Sequence, residues 1–163
     1  MSFGYDLTPW SSAYPIKDVL STQAAELIEQ IQKYRHDDST KKRPLIFIAD
    51  GIGCLILQGS LLQSHMAITD QDDRLKSIKL STTGLILLRN PNLEASGYTV
   101  IPGVLETKGS SNSTAGYPRK FSVEDNAWLK VQIDAFQAIA ECFTLIQIHD
   151  SGRLPSWEPP LVS

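Results

Sequence analysis

Cysteine, histidine, basic charge and long apolar runs are all scarce in this sequence, and each scarcity removes a class of function. Only Cys54 and Cys142 are present. That is too few for a disulfide framework, and both lie in apolar segments, so they read as buried free thiols in a reducing, cytoplasmic compartment. The three histidines, His36, His65 and His149, have neither ligand spacing nor cysteine partners, so no metal site is expected. A net charge of −3 and a pI near 5.6 leave no basic surplus to hold a nucleic-acid backbone. The one basic run, Lys41-Lys42-Arg43, reads as a solvated turn before a strand. No stretch reaches the roughly 18 apolar residues that a membrane span needs. The opening residues, Met1-Ser2-Phe3-Gly4-Tyr5-Asp6, lack the charged start and apolar run of a signal peptide.

What is present suits an ordinary globular domain. At 163 residues, 42% apolar and 20% charged, the chain fits a single domain over residues 1–163 with one core. Residues 15–35 predict an amphipathic helix: Leu20, Ala24, Leu27, Ile28, Ile31 and Tyr34 recur at helical spacing, opposite Glu26, Glu29 and Lys33. A polar break follows at residues 36–40. The apolar run Pro44-Leu45-Ile46-Phe47-Ile48-Ala49 suits a strand buried on both faces, as in a parallel sheet. Asp50-Gly51-Ile52-Gly53-Cys54 then turns tightly into an apolar helix.

A second buried run, Gly84-Leu85-Ile86-Leu87-Leu88, ends at Arg89-Asn90-Pro91-Asn92. Beyond it, residues 89–121 are rich in Gly, Ser, Asn and Pro, with a short strand expected at 98–101 and a mobile loop at 106–120. Ser122 reads as the N-cap of a helix carrying Glu124 and Asp125 in its first turn, with Leu129, Ile133, Phe136, Ile139 and Ala140 on one face. A third run, Phe143-Thr144-Leu145-Ile146-Gln147-Ile148, leads to His149-Asp150, and residues 155–163 are too proline-rich to be regular. Strands alternating with helices predict an α/β fold: three layers, with a mostly parallel sheet flanked by helices.

The corner at residues 49–53 has a specific shape. An α/β-hydrolase runs a buried strand into a sharp G-x-S-x-G turn and then a helix, which pushes the serine oxygen out above the sheet. Here the same place reads Ala49-Asp50-Gly51-Ile52-Gly53, and Gly51 has no side chain with which to attack a carbonyl. The surrounding segment, RPLIFIADGIGCLILQ at residues 43–58, resembles the nucleophile segment of serine-esterase-like α/β-hydrolase domains, which typically reads RPIIFIxHSLGGLVxK. Such domains are common in fungi, often at the front of NACHT or NB-ARC proteins. Asp50 stands where histidine is usual, Gly51 where serine is, and Cys54 replaces the second elbow glycine.

Two further stretches are similar. STTGLILLRNPNLEAS at residues 81–96 resembles T-x-G-I-I-F-L-G-T-P-H-R-G-S, and MSFGYD at 1–6 resembles a strand that usually reads ILTFGYD. A weaker match, LIQIHDS at 145–151, places Asp150 at the triad-acid position. The resemblance thus implies a truncated α/β-hydrolase-like fold. The family's first strand, with its HGxGG-type oxyanion turn, would lie before residue 1, and its histidine segment after residue 163. With Gly51 in place of the nucleophile, and without the histidine and oxyanion segments in residues 1–163, hydrolysis by this mechanism is not expected.

Other readings of these residues are weaker. Gly51-x-Gly53 after a strand invites a dinucleotide site, but the third glycine of GxGxxG would fall at Ile56, so no cofactor is expected. Asp50 is either a polar anchor or general base of the old pocket, or the N-cap of the helix from Ile52. His149 and Asp150 sit where open α/β sheets place ligands. Cys54, near a helix N-terminus, is either a displaced nucleophile or a small apolar helix residue.

The candidate site is therefore Asp50, Asp150 and His149 as chemical groups, with Gly51, Ile52, Trp10 and Asn90 as pocket wall. One function fits the loss of the serine: a repurposed pocket binding an apolar small molecule, and promoting a cyclisation or isomerisation that needs no covalent nucleophile, as fungal secondary metabolism does with such remnants. The alternative is a non-catalytic interaction or regulatory module, in which the missing strand leaves a sheet edge for a homodimer or partner to cover. A decayed fragment without a function is disfavoured by the well-formed helices and caps.

Overall fold

The structure, a computed structural model, describes residues 2–5, 15–67, 73–91 and 123–148. Its elements run α1 (Ile16–Tyr34), α2 (Asp38–Lys41), β1 (Leu45–Asp50), α3 (Ile52–Met66), α4 (Asp73–Ser81), β2 (Thr82–Leu88), α5 (Val123–Ala140) and β3 (Thr144–Ile148). The result is a mixed α/β arrangement with a small, open, parallel three-stranded sheet in the order β1-β2-β3.

Both crossovers, β1 to β2 and β2 to β3, step in the same direction along the sheet. Right-handed connections stepping one way place their helices on one face. Burial agrees. Leu45, Phe47 and Ala49 of β1, Leu85 and Leu87 of β2, and Leu145 of β3 belong to or pack against the core shared with α1, α3, α4 and α5. The alternate residues face away, with Ile46 and Ile48 each 68% exposed and Ile146 and Ile148 about half exposed. This corrects the expectation of a β1 buried on both faces within three layers. Among the described residues the sheet is covered on one face only.

α1 forms because its apolar residues recur every three or four positions. Ile16, Val19, Leu20, Ala24, Leu27, Ile28 and Ile31 are buried in one stripe. It crosses α3 closely: a Cβ added at Gly59 would lie 3.4 Å from that of Ala24, and the Ser60 hydroxyl donates to the Ala24 and Ile56 carbonyls at 3.0 and 2.8 Å. α3 is apolar almost all round, as a central helix packed by α1, α4 and α5 must be.

Two elements depart from the sequence reading. Residues 38–41 form the single helical turn α2 within the polar break, with the Asp37 carbonyl accepting from the Thr40 and Lys41 amides. α4 was not expected at all. It is held by Ile78, which is 1% exposed, and by Ser64 of α3, whose hydroxyl accepts the Lys79 amide at 3.0 Å and donates to the Leu75 carbonyl. The expected strand at 98–101, loop at 106–120, cap at Ser122 and tail at 155–163 lie outside the described residues. No helix among the described residues is long and apolar enough to cross a membrane.

Candidate functional site

β1 ends at Asp50 and α3 begins at Ile52, so residues 49–53 do form a strand-to-helix corner. Gly51 makes the turn at φ 54° and ψ −123°, the conformation of the first central residue of a type II′ turn, which glycine dominates. Its amide donates to the Leu88 carbonyl at 2.9 Å, and its own carbonyl accepts the Cys54 amide at 3.0 Å. The corner is thereby stitched to the end of β2. Arg89, just past β2, also has a positive φ of 49°, so both strands leave the sheet through left-handed residues.

Asp50 is not the helix cap. Gly51 occupies the N-cap position and no side chain caps α3. The Asp50 carboxylate instead accepts a two-pronged contact from Arg89, with Nε–Oδ1 at 2.8 Å and a second bond from Nη2 to Oδ2. That bond to the guanidinium holds the Asp50 carboxyl below its ordinary range, against a smaller opposing effect of burial. The pair is nearly half exposed, so its worth is that of a surface ion pair, about 0–1 kcal/mol.

Cys54 cannot serve as a displaced nucleophile. It is fully buried, its Sγ lies 3.4 Å from the Ala49 and Leu88 carbonyls, and burial with the nearby Asp50 charge pushes its thiol up to about 12. A thiolate, the reactive species, is disfavoured there. Cys142, expected to be buried, is exposed in the turn before β3.

Beside the corner lies an open-sided cleft of about 610 Å³, within the usual range for small-molecule sites. It runs along the whole of β1, on the edge that has no strand partner among the described residues. Leu27 and Ile31 of α1, Ile56 and Leu57 of α3, and Phe47 give it apolar walls, while Ser2, Phe3 and Tyr5 close part of its rim. Asp50 and Tyr5 mark the end near the corner and Arg35 the end near Leu45. The Tyr5 phenol is raised above 10.0 by burial first and by the Asp50 charge second. A second hollow, between α1, α3 and α5, has a volume of about 30 Å³, room for little beyond a water.

Of the expected site residues, Asp50 lines the cleft. Gly51 and Ile52 are buried at the corner, and Ile52, 3% exposed, belongs to the core and not to the cleft wall, because α3 is packed from several sides. Asn90 sits past β2, where its Oδ1 accepts from Gln58 Nε2 at 3.3 Å. Trp10, His149 and Asp150 lie outside the described residues. Sequence reasoning missed Tyr5, Phe47 and Arg35. The signal for Arg35 was its spacing: it follows Leu27 and Ile31 at successive four-residue steps, carrying a cation along a core-facing stripe. Among the described residues no group of three metal-ligating side chains converges. The chain matches no family model, no curated protein and no solved structure.

Proposed function

We propose that the chain is a small-molecule-binding protein whose cleft takes an elongated apolar ligand, on a hydrolase-like corner that carries no nucleophile. The observation that carries this reading is the cleft itself: about 610 Å³ of largely apolar space beside a corner at which Gly51 projects no side chain. Space of this kind binds by burying alkyl surface, roughly 25 cal/mol per Å² removed from water. It also restricts a flexible chain to a few conformers, which favours intramolecular reactions such as cyclisation or isomerisation without a covalent step.

Dodecanol is a suitable first probe. It should raise the thermal midpoint in a concentration-dependent way, by ligand linkage. Gly53→Trp, which fills the rim where an added Cβ would already touch Tyr5 Cε1 at 3.6 Å, should abolish that rise. No shift on the unmodified chain, or a covalent acyl adduct after exposure to an activated ester, would sink the proposal.

The edge of β1, which has no strand partner among the described residues, favours a second reading, an interaction or regulatory module that pairs through this edge, with a second copy or another chain. Unsatisfied strand edges recruit partners. Light scattering that shows a strict monomer at high concentration would remove self-pairing.

A further inference from the structure

Arg35 brings a positive charge to the wall of the cleft, and no carboxylate among the described residues is paired with it. Its Nη1 donates to the Arg43 carbonyl at 2.8 Å and its Nη2 to the Lys41 carbonyl, while its Nε is buried with no hydrogen-bond partner. Burial first, and the neighbouring Arg43 charge second, push its pKa down. Among the described residues only carbonyl dipoles hold this half-buried guanidinium, which leaves it under-compensated, because burying a charge is costly unless an opposite charge meets it.

The surroundings give the cleft a direction. Between Arg35 and the start of β1 the sequence holds Lys41, Lys42 and Arg43 against Asp37 and Asp38, a surplus of one positive charge beside that of Arg35 itself. The other end holds Asp50, whose carboxylate is already engaged by Arg89. Between the two ends β1 spans roughly 17 Å at about 3.3 Å per residue, flanked by Leu27, Ile31, Phe47 and Ile56. An alkyl chain fits that length, and only the Arg35 end asks for an anion.

We propose that Arg35 anchors the acidic head of the cleft's ligand, a long-chain carboxylate lying along β1 with its alkyl part against the apolar walls. This rests on the reading of the cleft as a small-molecule site and adds the class of ligand to it. A carboxylate arriving along the cleft supplies the full negative charge that the Lys41 and Arg43 carbonyls cannot. Arginine suits the task, since its planar fork matches a carboxylate and stays charged when partly buried.

The test is calorimetric titration with laurate and dodecanol, which share a chain and differ in the head group, below their aggregation concentrations at pH 8. Laurate should bind at least about tenfold more tightly, the order expected of a charge-assisted hydrogen bond. Arg35→Gln should erase the preference while dodecanol still binds, and Arg35→Lys should keep part of it. Arg35→Gln also loses two bonds to carbonyls, so the comparison on the unmodified chain stands by itself if that variant fails to fold. Equal affinities for the two probes would overturn the role of Arg35 and leave the cleft intact. Binding of neither would overturn the cleft as well.

Discussion

At Gly51 the backbone sits where a side chain is costly: φ 54° with ψ −123° strains any L-residue by about 1–3 kcal/mol. Gly53, two positions on, lies inside α3, with only ordinary van der Waals contact awaiting a Cβ. The two glycines therefore predict opposite outcomes. Gly51→Ala should destabilise by about 1–3 kcal/mol, and Gly53→Ala should be neutral or stabilising by up to about 1 kcal/mol, as glycine is a poor helix former. Urea midpoints of the two variants would show it, and equal effects would mean that the corner relaxes when substituted. The corner was legible in the sequence because an apolar run, glycine and a second apolar run can be joined in few ways. The partner of Asp50 was not legible. Its ion pair with Arg89 joins the ends of two strands 39 residues apart, and only the sheet brings them together. Arg35 was hidden for a related reason, since the lack of a carboxylate partner among the described residues is a property of the space around it.

Elements announce themselves when their own surface demands a partner. α1 and α5 were readable from apolar spacing, and β1, β2 and β3 from short apolar runs. α4 was not, because Leu75 and Ile78 are its only apolar residues packed against the core, too few to set a period. Its place is fixed by Ser64 of α3, a contact invisible to local pattern. The start of α1 depends on a similar long-range bond. Pro15 provides no side-chain cap, and the Ile16 amide donates instead to Asp125 Oδ1 of α5 at 3.2 Å. Asp125 was expected in the first turn of α5 for its charge, and it also caps another helix. Asp125→Ala should cost about 1 kcal/mol, the usual worth of an N-cap oxygen, while Asp125→Asn, which keeps the acceptor, should recover most of it. Denaturant midpoints for the two variants decide the matter, and equal losses would shift the effect from the cap to the charge.

At the scale of the whole molecule, the two faces of the sheet carry similar residues in different surroundings. Leu85 and Leu87 of β2 are at most 1% exposed, whereas Ile48 of β1 and Ile146 of β3, joined in register through Ile86, are 68% and 50% exposed. The sequence could not show this asymmetry, because an apolar run reads the same whether one face is covered or two. It follows from topology, since sequential strand order sends both crossovers to the same side. Truncating a buried leucine leaves a cavity and costs about 2–5 kcal/mol. Truncating a side chain that remains largely in water removes little burial and should cost under about 1 kcal/mol. Leu87→Ala and Ile48→Ala should therefore differ by at least about 1–2 kcal/mol in unfolding free energy. A loss at Ile48 as large as that at Leu87 would mean that the outer face is covered in solution. Dilution then identifies the cover: a penalty that vanishes as the protein is diluted belongs to an association between copies, and one that persists belongs to the chain itself.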